Sequence, residues 1–155
     1  MTILSHNSVG NQPTRLYVGG YVDPNNGRVS WAFYGQDQAD QWFGPYTGFS
    51  RDKVNTLVVA SYKALIESLK HVANNPSLNG PGGIVVYNSC ATVTKQIVGT
   101  FKTRQPHLIP LRDEVRDLID QLNFRVVIQL CGLNINWGVV RLAQRTCDQS
   151  QAGTL

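Results

Sequence analysis

An α/β fold, a five-stranded mixed sheet flanked by helices, is predicted by three observations. The first third of the chain alternates polar and apolar residues and is punctuated by turn chemistry. The pattern then switches to a repeat of three and four. Two later short apolar runs are each followed by helix-like segments. The order reads β-β-β-α-β-α-α-β-α. A 155-residue chain supports one domain with a substantial core and is too short for two of ordinary size.

Residues 1–13 are rich in Asn, Ser, Gly and Gln and end at Pro13, and are expected to form a flexible arm. The domain is then expected over 14–147, with 148–155 as a second flexible tail. Leu16-Tyr17-Val18 starts the first strand, and Asp23-Pro24-Asn25-Asn26-Gly27 turns the chain. Val29–Tyr34 alternates as a second strand; Gln41–Gly44 with Tyr46–Phe49 makes a third, completing an antiparallel meander. Leu57, Ser61, Ala64, Leu65, Ser68, Leu69 and Val72 then mark one face of a helix, which Asn74-Asn75-Pro76 stops.

Gly80-Pro81-Gly82-Gly83 leads into a buried strand, Ile84-Val85-Val86-Tyr87. It lacks the Lys and Ser/Thr of a phosphate loop and reads as a turn. A short helix is expected over Ala91–Phe101. An amphipathic helix carries Leu111, Val115, Leu118, Ile119 and Leu122. Phe124–Leu130 is the last strand, and Trp137–Arg145 the last helix.

Hydrophobic residues form 42% of the chain and charged ones 15%, which excludes a disordered tail. No apolar run reaches the roughly 18 residues of a membrane span, and the amino terminus lacks the pattern of a secretory signal. Cys90, Cys131 and Cys147 show no Cys-x-x-Cys spacing, which fits a reducing compartment; a cytoplasmic protein is expected, with the nucleus as the alternative. His6, His71 and His107 are far apart, so no metal or other cofactor is expected. The net charge of +4 is compatible with an anionic partner, although Arg28, Arg51, Lys53, Lys95, Lys102 and Arg104 are scattered rather than clustered.

Ala60–Leu69, the strand and turn Val86-Tyr87-Asn88-Ser89, and Gly99–Leu108 running on into Pro110–Arg116 occur in an order and at spacings that resemble the type 1 ribonuclease H family, especially its shorter archaeal, bacterial and plant branch. The likeness spans about Arg15 to Thr146. It implies a ribonuclease H-like fold and, in active members, four carboxylates holding two magnesium ions at the scissile phosphate. In this chain those positions fall at Gly19, Ser61, Asn88 and Val140, none of them acidic. The family's mobile-loop His would fall near Leu130, and its hybrid-touching Thr-Asn-Asn at Thr56-Leu57-Val58.

The resemblance therefore implies the fold without ordinary two-metal cleavage, and the chain is expected not to be an enzyme. It also implies that Leu57, Val58, Leu130, Leu133, Ile135, Trp137 and Val140 gather on the former catalytic face. Two functions remain open. One is a protein-interaction or self-assembly module, most simply a homodimer, with Leu57, Val58, Trp137 and Val140 at the interface. The other is non-catalytic RNA or nucleic-acid binding through Arg51, Lys53, Lys102 and Arg104. Asn88 is read as a helix N-cap, and Cys90 as a buried thiol rather than a nucleophile.

Overall fold

The computed structural model describes residues 12–50 and 55–153. Five strands, β1 (Thr14–Val22), β2 (Val29–Gln36), β3 (Trp42–Ser50), β4 (Ile84–Asn88) and β5 (Val126–Leu130), form one sheet in the order β3-β2-β1-β4-β5. The helices are α1 (Leu57–Ala73), α2 (Ala91–Val98), α3 (Ile109–Gln121) and α4 (Leu133–Gly153), with a 3-10 turn at Pro76–Leu78. The meander β1-β2-β3 is antiparallel, while β4 lies parallel to both β1 and β5. Leu16 sits opposite Val86, so the first strand and the buried Ile84–Tyr87 run are neighbours. Among the described residues no helix is long and apolar enough to cross a membrane.

Alternation along β1 decides which helix packs where. Leu16 and Val18 face α1 and join Val59, Tyr62, Leu65 and Leu69 in the main core, together with Ile84 and Val86 of β4 and Val115 and Leu118 of α3. The opposite face is covered by α4, whose Val139 and Ala143 pack with Ala32. Thr56 starts α1 by accepting the Val59 N–H at 3.2 Å. Tyr62 crosses the core to donate its hydroxyl to Gln96 Oε1 of α2 at 2.6 Å, and burial pushes its ionisation up to about 12.

Two helix boundaries differ from the sequence reading. α2 stops at Val98 rather than Phe101, because Gly99 takes the left-handed conformation (φ +88°) that closes a helix. α4 starts four residues before Trp137 and continues to Gly153, so 148–153 extend a helix where a tail was expected. Their polarity suggested a tail, yet nothing from Asp148 to Ala152 breaks a helix, and buried Cys147 anchors this end against the β1–β2 turn beside Arg28. Residues 1–11 of the expected arm lie outside the described residues.

A close helix-to-strand approach falls at Gly20. A Cβ there would lie 2.5 Å from the carbonyl carbon and 2.7 Å from the oxygen of Ala60, so α1 rests on β1 backbone to backbone. We expect Gly20→Ala to lift α1 and cost roughly 3 kcal/mol in urea denaturation; parent-like stability would show that the contact is looser than this.

Candidate functional site

The carboxyl ends of the parallel strands β1 and β4 are where side chains from several elements converge, the general location of ligand sites in α/β sheets. A pocket of about 220 Å³ opens there. β1 contributes Gly19 and Gly20, α1 contributes Leu57 and Ser61, and α4 contributes Val140. Asn88, Ser89 and Cys90, the link between β4 and α2, complete it. Gly19, Ser61, Asn88 and Val140 are far apart in sequence and line one cavity.

The pocket does not have the chemistry of a site for hard divalent cations, which take anionic oxygen ligands. Its lining residues include no carboxylate. The one glutamate of α1, Glu67, lines a different cleft beside Lys70 and His71. Asp23 is turned into its own loop, accepting the Asn25 N–H at 2.7 Å. Among the described residues no three His, Cys, Asp or Glu side chains stand together to hold a metal. α4 occupies the space at Gly19: a Cβ there would lie 3.0 Å from Val139 Cγ1 and 3.1 Å from Val140 Cγ2.

Asn136 holds this arrangement in place, and its role was not read from the sequence. Fully buried in the first turn of α4, it donates from Nδ2 to the carbonyl of Val18 at 3.0 Å and to that of Tyr87 at 3.1 Å. One carboxamide thus bridges β1 and β4 and fixes the start of α4 over the strand ends. The available signal was an amide set among apolar neighbours, Ile135 and Trp137. Asn88 is not the N-cap of α2, which is Cys90; its Oδ1 instead accepts the Cys90 N–H at 3.0 Å, two residues earlier.

The expected apolar face divides. Leu57, Leu130, Ile135 and Trp137 are 42–57% exposed. Leu57 lines the pocket, Leu130 is the register partner of Asn88, and Trp137 sits one helical turn before Val140 with Arg141 over its ring at 5.6 Å. Val58 turns away and packs on the main core, while Val140 is partly buried between the pocket and the second core cluster. Helical geometry separates Val58 from Leu57 by about 100°, so the two cannot share a surface. Cys90 is half-buried and lines the pocket rather than being sealed in the core. Lys102 and Arg104 are exposed between α2 and α3; Arg51 and Lys53 lie outside the described residues.

No protein-family model and no curated protein matches this chain. Solved structures do. RNase H1 from the halophilic archaeon Halobacterium salinarum superposes with a TM-score of 0.77 at 21% identity, covering 88% of this chain and 98% of that one. The N-terminal RNase H domain of Rv2228c from Mycobacterium tuberculosis gives 0.77 at 18% identity over 93% of this chain and 99% of its own. LC11-RNase H1, isolated from compost and solved in complex with an RNA/DNA hybrid, gives 0.79 at 17% identity over 89% and 99%. At these identities the likeness is one of fold.

Removing the Asn136 amide would take away both hydrogen bonds that tie the start of α4 to β1 and β4. We expect Asn136→Ala to lower stability by about 2–3 kcal/mol in chemical denaturation and to speed amide exchange in the first turns of α4. Unchanged exchange there would show that α4 is held by its apolar contacts alone.

Proposed function

We propose that this ribonuclease H-like domain works by binding through its former catalytic face and does not cleave RNA–DNA hybrids with divalent metal. The observation that carries the reading is the pocket itself: the four positions where the resemblance places carboxylates converge as Gly19, Ser61, Asn88 and Val140. A two-metal reaction needs anionic ligands to hold the ions and align the attacking water. Hydroxyl, amide and methyl groups do not supply them. Gly19 could not be restored alone, because a carboxylate there must displace Val139 and Val140 and would still have no acidic companion.

The exposed apolar groups next to the pocket favour a protein partner, most simply a second copy of the chain. Leu57, Leu130, Ile135 and Trp137 present more than isolated surface hydrophobes, and Trp is a frequent interface anchor. A symmetric dimer burying about 800 Å² per copy would cover them.

Nucleic-acid binding is the second reading. In its favour are the net charge of +4, exposed Lys102 and Arg104, and the fold shared with LC11-RNase H1, which was solved with a hybrid. The two readings separate on salt dependence, because phosphate contacts release counterions and weaken steeply as salt rises.

Purified protein given an RNA–DNA hybrid with magnesium or manganese is expected to leave the hybrid intact; metal-dependent products absent from a Ser61→Ala, Asn88→Ala control would overturn the catalytic part of the proposal. In light scattering the parent is expected to be dimeric. Leu57→Asp and Trp137→Asp, both at exposed positions, should each give a folded monomer. A parent that is already monomeric and binds hybrid with a strong inverse salt dependence would favour the second reading.

A further inference from the structure

The cleft beside Glu67 is separate from the strand-end pocket and lies between the last two turns of α1 and the outer strands β2 and β3. Its volume is about 280 Å³, and its floor is aromatic. Phe33 has Trp31 at 6.1 Å and Tyr46 at 5.1 Å, ring centre to ring centre, tilted from it by only 19° and 29°. The Trp31 ring lies across β3, because a Cβ on its register partner Gly48 would fall 2.2 Å from Cζ2. Phe33 is closed off beneath α1, whereas Trp31 is half-buried and Tyr46 exposed, so these two rings offer contact in the cleft.

The wall is α1, which contributes Glu67, Lys70, His71 and Asn74. Lys70 stands between two carboxylates, 3.4 Å from Glu67 and 3.5 Å from Glu114 of α3, so two negative charges outweigh one ammonium. Burial lowers the ionisation of His71, which leaves a neutral imidazole with a nitrogen able to accept a hydrogen bond. The cleft also lies at the carboxyl end of α1, the negative end of the helix dipole. Negative charge beside aromatic faces is an environment that favours a cation.

We propose that this cleft binds a guanidinium group. The flat, weakly hydrated cation stacks on Trp31 and Tyr46, and its N–H fork donates to Glu67, with Asn74 Oδ1 and the His71 imidazole as further acceptors. An alkylammonium suits the cleft less well, since it is more strongly hydrated and has no plane to lay on a ring. Lys70 limits the affinity, because an arriving cation must share Glu67 with it. The site is independent of the former catalytic face and of what that face binds.

The test is a titration of the full ¹⁵N-labelled chain with methylguanidinium chloride and, separately, with the peptide acetyl-Gly-Arg-Gly-amide, against sodium chloride at matched ionic strength. Saturable shifts are expected at the Trp31 indole N–H and the backbone amides of Tyr46, His71 and Asn74. Whichever compound saturates at the lower concentration assigns the guanidinium to a small molecule or to an arginine side chain. The lysine peptide acetyl-Gly-Lys-Gly-amide should bind at least about fivefold more weakly than its arginine counterpart. Glu67→Gln should weaken guanidinium binding about fivefold, and Lys70→Gln, which removes the competing ammonium, should strengthen it about threefold. Shifts that sodium chloride reproduces, no saturation with either guanidinium compound, or equal binding of the lysine peptide would each overturn the proposal. The unaltered chain decides between these outcomes even if a variant fails to fold.

Discussion

Strand β1 is gripped at one point from both sides, and much of the architecture follows from that contact. Gly20 lets the backbone of α1 come against the strand on one face, with no room for a Cβ beside Ala60. Its neighbour Gly19 meets Val139 and Val140 of α4 on the other face. Alternation along a strand sends successive side chains to opposite faces, so two adjacent glycines open both faces at the same level. The helices therefore close on the carboxyl end of β1, and the pocket is the space they leave between them.

That closeness explains how the site combines rigidity with unusual polarity. Asn136 ties α4 to the carbonyls of Val18 and Tyr87, at the ends of two parallel strands. Asn88 uses its oxygen to shape the entry to α2 and keeps its amide nitrogen without a partner. Both carboxamides are buried, and exchanging either for an apolar residue would remove hydrogen bonds to the backbone at the strand ends. Neutral amides can be buried at such a junction at far lower cost than carboxylates, because no unpaired charge is removed from water.

Exposed apolar side chains stand on the helices that frame this polar centre. Trp137 and Leu57 stand more than half exposed, whereas Val58, next in sequence, is drawn into the main core. The division follows from the pitch of α1: Leu57 and Ser61 are four residues apart and share the pocket side, while Val58 falls on the side that faces the sheet. Val140 belongs to both environments, touching the pocket and the packing between α4 and the sheet. A change there alters the fold and the site together, so Leu57 and Trp137 are the positions that separate surface behaviour from stability.

The five strands and the order of elements could be read from the sequence, because alternation, helical spacing and turn residues are local signals that survive in any context. The convergence of Gly19, Ser61, Asn88 and Val140 was also legible, through the resemblance carried by Ala60–Leu69 and Val86–Ser89. Other features depended on contacts between distant residues. The extent of α4 was set by the burial of Cys147 and by the anchoring of Asn136, and the N-cap position of α2 falls at Cys90 rather than Asn88 because of how β4 runs into α2. The exposure of Leu57 and the partial burial of Val58 were decided when α1 settled on the sheet. Local patterns specify which elements form; the free partners of a polar atom are fixed only when those elements have met, since a hydrogen bond depends on two positions that the chain brings together in space.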